Sequence, residues 1–399
     1  MSTTPNTSSL RRAWQALPRD LRREVLFSVT SWLAPRITRP EPAGQGSLTV
    51  AGYFGAASGL GSATRRLYGG LCAAGFDPTQ TDLTGPLRQG PWGAPIAVPT
   101  GPGTLLVHVN GPMLPWALLA IGRRAVARKR VIAVWNWELP VLPSDWERGL
   151  QACHHIWAPS RFTAQACARP DGPPVTVVPY PLSPPRPSAL RRADFGLPED
   201  AFIVLQVFDA ASSLARKNPL AAIAAHRAAF GNSPDHLLVL KTHNATKAGM
   251  AWTEVVAAAA AAPNVLLIDQ QLRREDLSAL MAAADVVVSL HCAEGYGLVI
   301  AEAMALGKPV VATGWSGNAD FMIGPGSYPV PWRLVPARDP QATYDLPQME
   351  WAEPDIAAAA AMLQAIAIEP SRRRPPPVTF PLPDYATLLG TVGRDGKRP

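Results

Sequence analysis

The chain has 399 residues, 47% hydrophobic and 17% charged, which is enough for two globular domains with a core each, and its 43 prolines predict rigid loops. The net charge of +7 permits an anionic partner, such as nucleic acid, a phosphorylated substrate or a membrane surface, without choosing among them. The four cysteines include no C-x-x-C pair, so we expect reduced thiols in a cytosol and no zinc site. The most apolar long window contains polar residues, so we expect no membrane-spanning helix.

Residues 1–45 are predicted to be a basic leader. Leu21, Val25, Leu26 and Val29 recur at helical spacing, with arginines between them. One interpretation is a basic amphipathic helix that lies on an anionic membrane surface. The other, which we favour, is a helix packed on the main body with a solvated basic face. The first residues contain no apolar stretch of the kind found in signal peptides.

Residues 46–190 predict a first α/β domain. An apolar run that ends at Phe54 is followed by a loop of small residues and by a helix that reaches Ala74, with Gly75 placed to cap it. Residues 104–110 and 130–137 are typical of buried strands, and a helix is predicted between them. Such alternation indicates a parallel sheet covered by helices on both faces.

A proline-rich break at residues 179–192 leads into a second α/β domain, residues 191–365. Its predicted strands are 202–209, 236–242, 264–269, 285–291 and 309–313. Residues 366–399 predict a proline-rich tail. Two doubly wound domains in tandem would face each other across a cleft, with ligands at the carboxyl ends of the strands.

Two carboxylates, Glu294 and Glu302, lie beside a Gly-Tyr-Gly turn that opens a predicted helix. The turn would direct backbone N–H groups into the cleft and form an anion site at the helix N-terminus. The residues that would supply these groups are Gly295, Tyr296, Gly297 and Leu298. Ionised carboxylates repel phosphate but suit sugar hydroxyls, because each accepts two hydrogen bonds at once. A nucleotide-sugar, with a diol at each end and a diphosphate between them, matches this pattern.

A pair of glycosidase carboxylates is the rival interpretation. Such pairs lie about 5 to 9.5 Å apart. Eight helical positions rise about 12 Å, so the spacing of Glu294 and Glu302 suits two ends of one ligand better than two sides of one bond. Glu302 could also only cap or solvate its helix, and the two residues alone leave this open.

The segment "SLHCAEGYGLVIAEAMALGKPVVATGWSGN", residues 289–318, resembles the E-x7-E signature of retaining glycosyltransferases of family 4, which have the GT-B fold. The glycine loop at residues 52–65 is similar to the N-terminal loop of that family. "WELP", "WAPSRF" and "RKNP" resemble stretches of a bacterial polysaccharide-type subset. The resemblance covers roughly residues 46–365 and implies GT-B: two Rossmann-like domains that face each other across a cleft.

The resemblance implies a role for each matching residue. Glu294 would contact hydroxyls of the donor sugar near the reacting carbon, and Glu302 would hold the ribose diol. Lys217 would stabilise the charge that develops on the diphosphate as it leaves. The family usually has an arginine five residues before that lysine; here the position is Ser212, and we expect Arg216 to substitute for it.

Weaker candidates complete the predicted site. Lys241 follows a predicted strand and is either a second phosphate ligand or an exposed lysine at a strand end. Gly59 and Gly61 would let the first domain's loop approach the diphosphate or the acceptor.

On the acceptor side, His108, Asn110 and Glu138 lie near strand ends, where ligand residues occur in such sheets. His108 could instead be a buried histidine with both ring nitrogens satisfied. Trp135 and Trp137 could stack on sugar faces, although core packing is the commoner role of tryptophan.

The expected reaction is a retaining sugar transfer to a glycan or lipid-linked oligosaccharide in bacterial polysaccharide synthesis, in the cytoplasm or on the inner face of the plasma membrane. The chain has no D-x-D motif, so we expect no metal and no cofactor beyond the donor. A sugar-nucleotide epimerase, a glycogen-phosphorylase-like enzyme and a non-catalytic binding partner stay open as alternatives. Nucleic-acid binding is disfavoured, because the arginines cluster at the termini and no aromatic-basic platform is found.

Overall fold

Two six-stranded parallel sheets organise the molecule. The computed structural model describes residues 16, 18–90, 97–182, 186–344 and 348–390, so the start of the predicted leader and the last nine residues lie outside the described part. Every strand pair within the two sheets is parallel. The predicted fold class, α/β with two Rossmann-like domains in the GT-B arrangement, is confirmed by this topology.

The first sheet has the strand order β2-β1-β3-β4-β5-β6. Its strands are β1 (Ser47–Gly52), β2 (Thr79–Asp82), β3 (Gly103–His108), β4 (Lys129–Val134), β5 (His155–Ala158) and β6 (Val175–Val177). Strand β3 is buried along its whole length, which is expected of a central strand with helices on both faces. The strand order reverses between β1 and β3, so a crevice opens there at the carboxyl edge.

The second sheet has the order β12-β11-β10-β7-β8-β9. Its strands are β7 (Phe202–Val207), β8 (His236–Thr242), β9 (Val265–Asp269), β10 (Val286–Ser289), β11 (Val310–Thr313) and β12 (Ser327–Val330). This is the order of dinucleotide-binding folds, in which the direction of winding reverses between the first and fourth strands. Here these strands are β7 and β10, so the loops that follow them meet at the switch point.

The helices cover both sheets. They are α1 (Arg19–Leu33), α2 (Gly59–Ala73), α3 (Leu114–Ile121), α4 (Arg123–Val126), α5 (Glu147–Leu150), α6 (Arg161–Cys167), α7 (Leu214–Lys217), α8 (Pro219–Phe230), α9 (Met250–Ala260), α10 (Arg274–Ala283), α11 (Leu298–Ala305), α12 (Ile356–Ile368) and α13 (Tyr385–Leu389). Ser58 caps α2 by accepting a hydrogen bond from the N–H of Gly61. A Cβ at Gly61 would lie 2.2 Å from the carbonyl oxygen of Ala56, so only glycine lets the loop fold back on this helix.

An antiparallel ribbon interrupts the α/β alternation near the end of the second domain. It pairs β13 (Trp332–Pro336) with β14 (Glu350–Pro354), and Val335 lies opposite Trp351. Its connecting loop extends towards the first domain, because Ala337, Tyr344 and Trp351 belong to the same buried cluster as the core of that domain.

The chain returns to the first domain after α12. The ring of Tyr385 in α13 lies 6.2 Å from that of Trp157, and Arg130 donates a hydrogen bond to the carbonyl oxygen of Leu389. Both Tyr385 and Leu389 are buried. Helix α13, which belongs to the predicted tail, is therefore part of the first domain's core.

Candidate active site

Glu294 lies in the loop between β10 and α11, at the carboxyl edge of the second sheet. Its N–H donates a hydrogen bond to Ser316 Oγ (2.8 Å), and its carbonyl oxygen accepts one from the N–H of Gly317 (2.8 Å). Ser316 has φ 74° and ψ −150°, a region that glycine normally occupies and that costs a serine about 1–3 kcal/mol. The loop after β11 therefore fixes the backbone of Glu294, and Ser316 adopts a strained backbone conformation in that loop.

Two cations of helix α7 face the Glu294 carboxylate. The Lys217 ammonium contacts Glu294 Oε1, and Arg216 Nη1 lies 3.3 Å from the same oxygen. The Arg216 guanidinium also donates to the carbonyl oxygens of Ala293 (2.7 Å) and Ser212 (3.0 Å). Because α7 follows β7 and Glu294 follows β10, the fold brings these charges together at the switch point.

The electrostatics of this cluster keep Glu294 ionised. Burial by itself raises the pKa of a carboxyl group, but Lys217 and Arg216 more than offset it and hold the pKa of Glu294 at about 2. Burial also lowers the pKa of Lys217, and the Glu294 carboxylate opposes that shift. Lys217 and Arg216 thus share one buried carboxylate of the second domain, Glu294.

The first domain adds Glu138 to the cluster through Tyr344. The Tyr344 hydroxyl donates to Glu138 Oε2 (2.9 Å), and the Arg216 guanidinium carbon lies 5.3 Å from the centre of the Tyr344 ring. Trp137 packs on the same ring at 5.6 Å and is buried. Glu138, predicted on the acceptor side, therefore does lie beside the Glu294 cluster. Tyr344 was missed, because nothing in its local sequence distinguishes it from an ordinary loop tyrosine.

Residues 339–344, which lead to Tyr344, are held by side-chain hydrogen bonds. The Asp339 carboxylate accepts hydrogen bonds from the N–H groups of Gln341 (3.1 Å), Thr343 (2.9 Å) and Tyr344 (3.1 Å). The Gln341 side chain accepts from the N–H of Leu214, the first residue of α7, and donates to the carbonyl oxygen of Ala210 (3.1 Å). The ribbon loop and the Lys217 helix therefore form one unit.

The residues after Glu294 form the seam between the domains. The carbonyl oxygen of Gly295 accepts hydrogen bonds from Ser160 Oγ (2.7 Å) and Thr163 Oγ1 (3.2 Å) of the first domain. Tyr296 is buried against aromatic rings, and Gly297 has φ 93° as the N-cap of α11, whose first residue is Leu298. The first N–H groups of α11 have no carbonyl partner within the helix, which is the feature that the predicted anion site requires.

Glu302 is paired with a buried arginine of the other domain. Its carboxylate contacts Arg66 Nη2 of helix α2, whose side chain is only 2% exposed. Burial lowers the pKa of Arg66 to about 9, with a further contribution from Arg274. Glu302 is thus neither a solvated helix residue nor free in the cleft, and its predicted contact with ribose stays a prediction. Arg66 was missed because 236 residues separate the two partners.

Removing one partner of this pair is expected to destabilise the protein. Glu302→Gln leaves the Arg66 charge buried, so we expect the free energy of unfolding to fall by about 3–5 kcal/mol, and by a similar amount for Arg66→Met. The double variant should recover much of that loss, as urea denaturation of the three variants will measure. Glu353→Gln, at the exposed Arg333–Glu353 pair, is the control and should change stability by less than about 1 kcal/mol. Additive losses in the double variant would contradict the pairing.

His108 and Asn110 hold the carboxyl edge of the first sheet together. The two ring nitrogens of His108 lie 2.8 Å from Thr64 Oγ1 and 2.8 Å from the Tyr180 hydroxyl. Burial lowers the pKa of His108 to about 4, so the ring is neutral. Asn110 Oδ1 accepts from the N–H of Asn136 (3.2 Å). This is the arrangement of a buried, satisfied histidine, and the acceptor-side roles of both residues stay predictions.

Among the remaining candidates, Ser212 touches the Glu294 cluster through its carbonyl oxygen, which accepts a hydrogen bond from Arg216. The Lys241 ammonium donates to the carbonyl oxygens of Thr242 and Gln270, and burial lowers the pKa of Lys241 to about 8. The Ser212 hydroxyl donates to the carbonyl oxygen of Asp209. A Cβ at Gly59 would meet no atom within 4 Å, so the structure itself does not require glycine there.

Within the described ranges, no three His, Cys, Asp or Glu side chains are grouped so that they could hold a metal ion. Likewise, none of the helices in the described part of the chain is long and apolar enough to cross a membrane.

Comparison with known proteins gives one family match. Residues 237–346, a little over a quarter of the chain, match the family described as glycosyl transferases group 1. No curated protein matches the chain. Among solved structures, the chain is similar to Staphylococcus aureus TarM (11% identity, TM-score 0.48), to the pneumococcal O-GlcNAc transferase GtfA (12%, 0.46) and to Anabaena HepE (16%, 0.48).

The extent of these likenesses differs. Each covers 68% of this chain, but 49% of TarM, 51% of GtfA and 70% of HepE, so the chain spans about half the length of the first two. With TM-scores below 0.5, the fold assignment depends on the sheet topology instead. The family match runs from within β8 through β11 and includes Glu294 and Glu302, so the similarity to glycosyl transferases of group 1 lies in the second domain.

Proposed function

We propose that the protein is a retaining glycosyltransferase of the family 4 type, which moves a sugar from a nucleoside-diphosphate sugar to a hydroxyl group of an acceptor. The observation that carries this proposal is the contact of Lys217 with Glu294 at the switch point between β7 and β10. Ligands of open α/β sheets bind at that point. A cation and an ionised carboxylate there match a ligand with a charged middle and a hydroxylated end.

The donor would be held by three kinds of group. Lys217 and the first N–H groups of α11 would bind the diphosphate. The ammonium carries a full positive charge and the N–H groups carry partial positive charge, and both lie at the carboxyl edge of the second sheet. Glu294, ionised at neutral pH, would accept hydrogen bonds from the transferred sugar. Glu302 would share its carboxylate between Arg66 and the ribose diol.

The proposed reaction breaks the bond between the anomeric carbon and the diphosphate oxygen, and the electron pair leaves with the diphosphate. Lys217 stabilises the charge that develops on this leaving group. The acceptor hydroxyl attacks the anomeric carbon from the same face, and its proton passes to the departing phosphate oxygen. None of these steps requires a metal, and we expect activity without one.

The acceptor is proposed to be a glycan or a lipid-linked oligosaccharide of a bacterial cell surface, and the reaction to take place in the cytoplasm. Glu138 supports an acceptor on the first domain, because the Tyr344 hydroxyl ties it to the reacting cluster. All four cysteines are free, as expected of a reducing compartment.

A thermal-shift screen of UDP-, GDP- and dTDP-sugars tests the proposal. We expect one donor to raise Tm, with and without EDTA, and the same donor to release nucleoside diphosphate when acceptor glycans are added. Isomerised donor without released diphosphate would favour an epimerase. Donor binding without turnover on any acceptor would favour a binding partner, and no shift with any donor would refute the proposal.

A further inference from the structure

Helix α1 exposes an apolar stripe to solvent. Leu21, Val25, Val29 and Trp32 fall within an arc of about 80° on the helix surface. Trp32 is 83% exposed and the other three are 37–47% exposed. Leu33 extends the stripe at the C-terminal end of the helix and is 46% exposed. Large apolar side chains that are exposed together on one face mark an interaction site.

The opposite face of α1 is attached to the first domain. Phe27 and Thr30 are buried there, and the helix packs against α3. Two ion pairs join its N-terminal half to helix α5 and the residues just before it. They pair Arg23 with Asp145 and Glu24 with Arg148. The helix therefore packs on the body as the sequence analysis favours, but its apolar stripe faces outward.

Unpaired arginines lie in the segment that follows α1 and in and just after α4. They are Arg36, Arg39, Arg123, Arg124 and Arg128, all exposed and all without a carboxylate partner among the residues that the structure describes. The segment after α1 and the segment after α4 meet here, because the N–H of Arg128 donates to Thr38 Oγ1 (3.2 Å). The apolar stripe and these exposed arginines thus lie on adjoining segments of the first domain.

We propose that this surface docks on an anionic membrane. The apolar side chains of α1 would enter the boundary between headgroups and acyl chains, and the arginines would bind lipid phosphates. Charge complementarity selects this occupant over a second copy of the chain, because a symmetric dimer through α1 would place two sets of unpaired arginines against each other.

Such docking would bring the first domain to the surface on which a lipid-linked acceptor is carried. The proposal stands on α1 and its neighbouring arginines, and it does not depend on the sugar-transfer reaction. Lipid binding can therefore succeed or fail separately from the proposed function.

Flotation of the full-length protein with lipid vesicles tests this inference. We expect binding to vesicles of phosphatidylglycerol and phosphatidylcholine (3:7), little binding to phosphatidylcholine alone, and weaker binding as NaCl is raised from 0.05 to 0.5 M. V29S/W32S should lower the partition coefficient about tenfold or more, because two apolar side chains leave the bilayer. R123E/R124E should lower it about 30-fold or more.

Matched controls lie on the second domain. Met250 is 89% exposed and Arg227 has no carboxylate partner in the described ranges, so Met250→Ser and Arg227→Glu should bind vesicles like the wild type. Circular dichroism checks that each variant is folded. Absence of wild-type binding, or equal binding by V29S/W32S, would overturn the proposal. A wild-type dimer in sedimentation velocity that V29S/W32S converts to monomer would assign the stripe to a second copy instead.

Discussion

Replacement of Lys217 by methionine is expected to lower kcat/KM for sugar transfer by a factor of roughly 10² to 10³. The variant keeps the length and apolar stem of the side chain but removes the charge that stabilises the leaving diphosphate. Because this charge matters most once the bond to the sugar is breaking, kcat should fall more than donor affinity. The measurement is the release of nucleoside diphosphate, with the donor found in the thermal-shift screen.

Two further variants show whether the effect belongs to this position. Lys217→Arg keeps the positive charge and should retain part of the activity. Lys247 is exposed on the same domain, so Lys247→Met should behave like the wild type. If Lys217→Met keeps more than about a tenth of the activity while it remains folded, Lys217 does not act on the leaving group.

Glu294→Gln is expected to lower kcat by roughly a thousandfold while donor binding persists. Glutamine has nearly the same shape, and its side-chain oxygen can still accept a hydrogen bond from a sugar hydroxyl, but it carries no charge beside Lys217 and Arg216. Isothermal titration with the donor and a rate assay separate these effects. Glu353→Gln, on the exposed ribbon, is the control and should leave both unchanged.

The same variant makes a prediction about acid stability. A carboxyl group whose folded pKa is depressed stabilises the protein above its unfolded pKa, and this contribution is lost as pH falls through the folded value. For Glu294 the unfolded pKa is 4.5 and the folded pKa is about 2. The ionised carboxylate therefore contributes roughly 3 kcal/mol to the free energy of unfolding, and this contribution disappears as the pH falls from about 5 to about 2. We expect the difference in unfolding free energy between wild type and Glu294→Gln to shrink over that range. A difference that is the same at pH 5 and pH 2 would show that Glu294 is not held by its cations.

The second domain was predictable because its strands are continuous apolar runs. The runs around β7 and β10 end in polar or glycine-rich loops, and the parallel topology then places both loops at one edge. The meeting of Lys217 with Glu294 follows from that geometry, although 77 residues separate them.

In the first domain, Gly75, which the sequence places at the end of helix α2, has φ 86°, and this agrees with the predicted helix end.

Contacts that the strand topology does not imply were not predictable from the sequence. Tyr344 meets Glu138 across 206 residues, and no periodicity or motif connects the two. The short ribbon β13–β14 has too few residues for its alternation to differ from that of an ordinary loop. His108 was placed correctly at a strand end, but whether its ring faces the cleft or Tyr180 depends on packing that a single strand does not reveal.

The return of helix α13 to the first domain means that the backbone spans the gap between the two sheets twice among the described residues. One crossing lies between β6 and β7, and the other lies between α12 and α13. A body joined at two points cannot swivel freely about a single tether. We therefore expect the two sheets to rotate about an axis that passes near both connections, in a jaw-like movement rather than a twist.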